Sequence, residues 1–226
     1  ESTATVHAVT ATSPAGGEGL TDMALDSQRK RIYVANSGMN RIEVFSLSAK
    51  TFGTPITVGQ LPRSVALSPD GGTLWVANSG GESIMAINPD TLAITQTISF
   101  PALPLSTTAS IATPAVITAT TAGPQILMSN GSLWRIVDGV AQPRGLTVTM
   151  PATMAATPGG EKAILLAGDG MVYLYDASAD DSDYIDDVAE KSKIYGGTAG
   201  NYGLTSDTEA ATSTSPYGLY ITPGLN

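Results

Sequence analysis

Few residues in this chain have the types and spacing to do chemistry. Asp22, Arg63 and Asp169 are charged residues placed at turns that share one face of the fold read below, and a converging pair of carboxylates with a guanidinium could serve acid–base work or hold a polar ligand. Tyr217 falls at the same kind of turn. A second group is the acidic run from Asp176 to Asp187, in which Asp180, Asp181 and Asp183 are candidate oxygen ligands for calcium. Its spacing is not that of a helix–loop–helix calcium loop, and a solvated loop is the simpler reading of such a charge run. His7 is the only histidine and there is no cysteine, which excludes two-histidine mechanisms, thiolate nucleophiles and cysteine-based metal or haem sites. No Gly-x-Ser-x-Gly elbow is present, so a serine-hydrolase site has no support. Asn130-Gly131-Ser132 matches a glycosylation sequon in form only.

The elements that must position these residues are set by an internal repeat. Ile32-Tyr33-Val34-Ala35-Asn36-Ser37-Gly38 returns as Leu74-Trp75-Val76-Ala77-Asn78-Ser79-Gly80, an offset of 74 − 32 = 42 residues. Alternating strand patterns surround each copy: Leu20 to Leu25 and Arg41 to Leu47 in the first, Val65 to Leu67, Ser83 to Ile87 and Ala93 to Ile98 in the second. Four short antiparallel strands in about 42 residues make one propeller blade. The expected fold is therefore all-β, a β-propeller of four-stranded antiparallel blades with four to five blades present.

The blade-like units run over 19–60, 61–103, 104–147 and 148–196, with an incomplete one from 216, where Pro216 to Gly224 matches Pro62 to Asp70 (216 − 62 = 154). The third unit is degenerate: its inner strand is expected to end over Ile111–Pro114, followed by strands at Gln125–Met128 and Ser132–Ile136. Gly196 to Ser215 reads as a long polar loop. Residues 1–12 carry an alternating strand, Thr3 to Thr10, that would complete a blade begun at the other end of the chain. The rhythm breaks off in mid-blade at Asn226, and the start at Glu1 suggests a processed chain, so these residues are expected to be part of a longer propeller.

Composition bounds the partners. Charged residues are 14% of the chain and the formal net charge is −9, a field that repels nucleic-acid backbones. Arg29-Lys30-Arg31 is the one tight basic cluster, expected in a solvated turn. No apolar run reaches the roughly 18 residues of a spanning helix. Polarity carried by Ser, Thr, Asn and Gly rather than by charge suits an extracytoplasmic, loop-rich β protein, whether secreted, periplasmic or on the cell surface. On the expected fold, Thr21-Asp22, Arg63-Ser64, Thr107-Thr108, Ala152-Thr153 and Tyr217-Gly218 face the central channel, with the turns at Asn36–Arg41 and Asn78–Glu82. The recurring Asn36 and Asn78 are expected to serve turn geometry.

Tyr33-Val34-Ala35-Asn36 and Trp75-Val76-Ala77-Asn78, each followed by Ser-Gly, resemble the YVTN family of β-propeller repeats. The resemblance implies an extracytoplasmic or surface-layer protein, usually seven-bladed, with roles that range from structural and adhesive to enzymatic. The expected function is a non-catalytic binding or structural scaffold that contacts a protein or carbohydrate partner and needs no cofactor. The alternative is a propeller enzyme, a lactonase or lyase, whose site is completed by blades absent from this chain; it requires Asp22, Arg63 and Asp169 to meet around one cavity.

Overall fold

A computed structural model describes residues 19–100, 112–169 and 171–179 (Val172 for its backbone), and the backbone of strands at 186–187, 202–206, 209–214 and 218–223. Five antiparallel sheets follow one another along the chain. The first holds β1 (Leu20–Asp26), β2 (Arg31–Asn36), β3 (Arg41–Ser46) and the short β4 (Thr51–Phe52) and β5 (Ile56–Thr57), both paired with β3. The second holds β6 (Pro62–Leu67), β7 (Leu74–Asn78), β8 (Ser83–Ile87) and β9 (Ile94–Ser99), in that order. The third holds β10 (Pro114–Thr120), β11 (Gly123–Met128), β12 (Ser132–Val137) and β13 (Val140–Thr147). The fourth holds β14 (Thr153–Ala156), β15 (Lys162–Leu166), β16 (Val172–Asp176) and β17 (Asp186–Asp187). The last has three strands, β18 (Tyr202–Ser206), β19 (Glu209–Thr214) and β20 (Gly218–Pro223). The innermost strands β1, β6, β10 and β14 lie side by side, so the first four sheets stand as blades of a β-propeller, as the repeat requires.

Strand alternation gives a blade two faces, and at three joints the rear of one blade packs on the front of the next. On blade 1 the rear face presents Tyr33, Ala35, Ile42 and Val44, which close on Val65, Leu74 and Val76 from the front of blade 2. Ala77 and Ile84 behind blade 2 meet Ile117, Ile126 and Trp134 of blade 3. Leu127 and Leu133 behind blade 3 meet Met154 and Leu165 of blade 4. Each joint is thus a small sheet-on-sheet core, and the recurring Tyr33 and Trp75 are joint residues.

Several elements differ from the expectation for physical reasons. In blade 1 the fourth strand is split into β4 and β5 by Gly53-Thr54-Pro55, and Pro55 has no N–H to donate to the ladder. The inner strand of blade 3 begins at Pro114 rather than ending there, because the period stretches: Pro114 takes the register of Pro62, and 114 − 62 = 52. Strand β13 was unreadable because it contains Pro143 and Gly145, both tolerated on an outer edge strand. The stretch read as the loop Gly196–Ser215 contains β18 and β19, and β20 is the third strand of their sheet rather than the first strand of a new one.

The basic turn is also corrected. Arg29 is mostly buried and spans two blades: Nε and Nη2 donate to the two oxygens of Asp90 at 2.6 and 2.9 Å, and Nη1 donates to Asp26 at 3.1 Å and to the carbonyl of Gly71 at 3.0 Å. Arg31 Nη1 donates to the carbonyl of Pro89 at 2.8 Å. These two cations are clamps between blades 1 and 2 rather than a solvated turn. Arg29 holds the Asp90 carboxyl below the usual carboxylate range, and Asp90 followed by Asp26 raises Arg29 in return.

A group whose folded pKa is depressed stabilises the protein above its unfolded pKa and stops doing so as pH falls through the folded value. The gap in melting temperature between wild type and Asp90→Asn should therefore be present at neutral pH and narrow below about pH 4. It should also shrink in about 1 M salt, since the Asp90 carboxylate is exposed. A gap that survives both conditions would rule out the ion pair as its cause.

Candidate functional site

The inner strands of the first three blades share one irregularity. Pairing slips by one residue between Leu20 and Asp22, between Pro62 and Ser64, and between Pro114 and Val116. The extra residues, Thr21, Arg63 and Ala115, are re-aimed by these bulges. All three line a channel cavity of about 840 Å³ bounded by the inner strands of four blades, together with Asp22, Thr118 and Thr153. A second cavity of about 420 Å³ adjoins it and is lined by Arg63, Thr113, Ala115, Ser129, Met150 and Pro151. Arg63 is exposed and belongs to both. Among the described residues, neither lining contains an aromatic ring.

Asp22 faces the larger cavity, but its oxygens are in use. Oδ2 accepts the Ser64 hydroxyl at 2.6 Å and the Val65 N–H at 3.0 Å, and Oδ1 accepts the N–H of Met23 at 2.8 Å. With its proton directed to Asp22, Ser64 Oγ accepts the N–H of Ile117 in the next blade at 3.1 Å. Thr21 Oγ1 donates across the same joint to the carbonyl of Pro62 at 3.1 Å. Asp22 is thus a bridge between blades 1 and 2, and Ser64 between 2 and 3.

The other sequence candidates do not join it. Asp169 sits in the exposed β15–β16 turn, accepting Thr149 Oγ1 at 2.8 Å and the Met171 N–H at 3.0 Å, and lines neither cavity. Tyr217, Asp180, Asp181 and Asp183 lie outside the described residues, as do Thr107 and Thr108. Blade 3 instead supplies Ala115 and Val116. The signal that could have located them is the proline opening both inner strands, Pro62 and Pro114. Among the described residues, no group of three or more His, Cys, Asp or Glu is placed to hold a metal ion.

Shifted pKa values fall on turns and joints. The Ser68 hydroxyl, then the Gly72 N–H, lower Asp70; Ser178 lowers Asp176; burial raises Tyr33. None of these residues lines either cavity.

Asn36 and Asn78 are fully buried strand ends, not turn formers. The asparagine in left-handed backbone is Asn40, at φ 52°. Asn36 Nδ2 donates to Glu43 Oε1 at 2.7 Å, and Arg41 Nε donates to the same oxygen at 2.6 Å. At the register of Glu43, blade 2 has Met85, and both amide atoms of Asn78 lack a hydrogen-bond partner. Gly59 makes room for that amide: a Cβ there would meet Asn78 Cγ at 2.8 Å.

A family model described as "Domain of unknown function (DUF5074)" matches residues 5–197. The chain belongs to this family. No curated protein matches the sequence. Solved structures similar to this DUF5074 chain include Kuenenia stuttgartiensis hydrazine synthase, with a TM-score of 0.65 and 13% identity over 87% of this chain and 55% of that one. The β-propeller domain of Myceliophteria thermophila Cps50 (Swd1) gives 0.63 and 12% over 90% and 65%. Dihydro-heme d1 dehydrogenase NirN in complex with DHE gives 0.60 and 14% over 91% and 44%. At such identities the likeness shows the propeller fold alone. The DUF5074 chain spans between 44% and 65% of the length of these structures.

Two outcomes follow from the bonds described. Asp22→Ala strands the Val65 N–H and the Ser64 hydroxyl, and should destabilise by about 1–3 kcal/mol, read as a lower urea midpoint at unchanged slope. Asn36→Ala leaves Glu43 short of a donor, whereas Asn78→Ala removes an amide that bonds nothing. The first should therefore cost more than the second in the same assay, by about 1 kcal/mol or more. Equal costs would refute the role given to Glu43.

Proposed function

We propose that this DUF5074 chain is a non-catalytic, extracytoplasmic propeller with YVTN-type repeats that acts as a binding or structural scaffold through its channel mouth. The observation that carries the reading is the state of Asp22. Among the described residues, the one carboxylate on the larger cavity is committed to the hydroxyl and main chain of the next blade, and Asp169 is tied into a turn elsewhere. An acid–base pair for a lactonase or lyase needs two titratable groups facing one volume. Here the cavity offers Arg63 and the threonines Thr118 and Thr153, a set that recognises a polar partner by hydrogen bonding.

The partner is a carbohydrate or a polar protein loop that bonds to hydroxyls and to Arg63. An extracytoplasmic setting is supported by the sparse charge and the Ser-, Thr-, Asn- and Gly-rich composition.

A panel of neutral and acidic oligosaccharides screened by thermal shift should include members that raise the melting temperature of wild type and lose that effect in Arg63→Ala. Lactone turnover should stay at background in both proteins. Turnover by wild type that vanishes in Asp22→Ala, with folding intact by circular dichroism, would overturn the scaffold reading in favour of the enzyme.

A further inference from the structure

The smaller cavity differs in chemistry from the larger one it adjoins. Among the described residues, the polar side chains on its wall are Arg63, Thr113 and Ser129, and none is a carboxylate. The remaining wall is built from the apolar side chains of Ala115, Met150 and Pro151. Ala115 matters through its size. It is the extra residue of the bulge in blade 3, as Arg63 is of the bulge in blade 2, and a lone methyl group there leaves open the volume that a second long side chain would fill.

Ser129 is set up as a donor. Its N–H donates to the Thr113 carbonyl at 2.7 Å, while its Oγ accepts the Thr113 N–H at 3.0 Å and the Thr113 hydroxyl at 3.4 Å. Both lone pairs of Oγ are thereby used, and the hydroxyl proton is what it can offer a ligand. Arg63, exposed at the same wall, carries a charge and donors but no acceptor. A guanidinium fork beside an oriented hydroxyl donor suits the two oxygens of a carboxylate. The net charge of −9 works against a more highly charged group such as a phosphate monoester. The apolar wall then decides what carries the carboxylate. A sugar acid would bring ring hydroxyls against Ala115, Met150 and Pro151, whose side chains give them no partner, and covering a hydroxyl without a hydrogen bond costs free energy. An aliphatic stem meets the same wall at no such cost.

We propose that the smaller cavity takes the acidic side chain of a protein loop, with its carboxylate on Arg63 and the Ser129 hydroxyl and its methylene stem against Ala115, Met150 and Pro151. This assignment rests on the reading of the channel mouth as the binding face, and it narrows the partner to a loop with an acidic residue at its tip. The rest of such a loop would lie over the larger cavity, within reach of Thr118 and Thr153.

Two N-acetylated, amidated peptides, Gly-Glu-Gly and Gly-Gln-Gly, differ in that charge alone. In the full chain with isotope-labelled methionine methyls, Met150 reports the smaller cavity and Met154 the larger. The Glu peptide should move the Met150 resonance and bind about tenfold more tightly than the Gln peptide. Arg63→Gln should erase that preference, and Ser129→Ala should cut it about fivefold while leaving the affinity for the Gln peptide unchanged. Both substitutions fall on exposed positions, and urea midpoints check that the fold is kept. Equal binding of the two peptides, or a Met150 resonance that the Glu peptide leaves in place at millimolar concentration, would overturn the assignment. The channel-mouth reading would survive that result if oligosaccharides still raised the melting temperature through Arg63. Glucuronate moving Met150 as far as the Glu peptide does would overturn the assignment in favour of a carbohydrate. Movement of Met154 in place of Met150 would overturn it by putting the acid in the larger cavity.

Discussion

The carboxylate of Asp22 and the hydroxyl of Ser64 do between blades what main-chain pairing does within a sheet. Inner strands of neighbouring blades lie side by side without a continuous ladder, so the N–H groups of Val65 and Ile117 need acceptors from elsewhere. The residue before the equivalent position on the previous blade supplies them, first as a carboxylate and then as a hydroxyl. The third blade breaks the series, because Val116 takes that register and has no oxygen to offer. Everything outward of the inner strands depends on this spacing, since the joint cores can interdigitate only if the strands that carry them are held at a fixed separation.

The joints show how a repeat can keep its geometry while changing its chemistry. Tyr33 and Trp75 occupy equivalent rear positions in blades 1 and 2, but blade 3 has Gln125 at that register. A buried glutamine needs partners. Arg144, reaching inward from the outer strand of blade 3, donates Nε to Gln125 Oε1 at 2.8 Å and Nη2 to the Tyr175 hydroxyl of blade 4 at 3.2 Å. Its guanidinium also stacks over the Tyr175 ring at 4.8 Å from the centroid. An aromatic joint has been exchanged for a cationic one, which is why the third repeat looks eroded in sequence while its sheet is complete.

The fold was legible wherever a residue's type is dictated by a period. The tandem Tyr33-Val34-Ala35-Asn36 and Trp75-Val76-Ala77-Asn78 copies placed β2 and β7, and through them the hairpins on either side. Legibility failed where the chain departs from the period without a local signal. Ten extra residues before Pro114 displaced the inner strand of blade 3, and Pro143 and Gly145 disguised β13 because only an edge strand tolerates them. The roles of Asn36 and Arg29 were hidden for another reason. Asparagine before Ser-Gly and arginine in a short basic run both look like turn chemistry, and only the positions of Glu43, Asp90 and the Gly71 carbonyl turn them into buried structural groups.

The lining of the larger cavity was legible in part. Asp22 and Arg63 were singled out at the channel face, and they do line one cavity, but nothing in sequence could say that Asp22 would be consumed by the blade beside it. The bulges sharpen what remains. Positions that build joints stay mostly apolar from blade to blade, because every joint poses a similar packing problem. The extra residue at each of the three bulges faces the cavity and belongs to no joint core, and there the chain varies: Thr21, Arg63, Ala115. In a repeat protein the binding asymmetry must come from register positions that packing leaves unconstrained. A ligand entering this channel would therefore meet a different side chain at each of the three bulged inner strands.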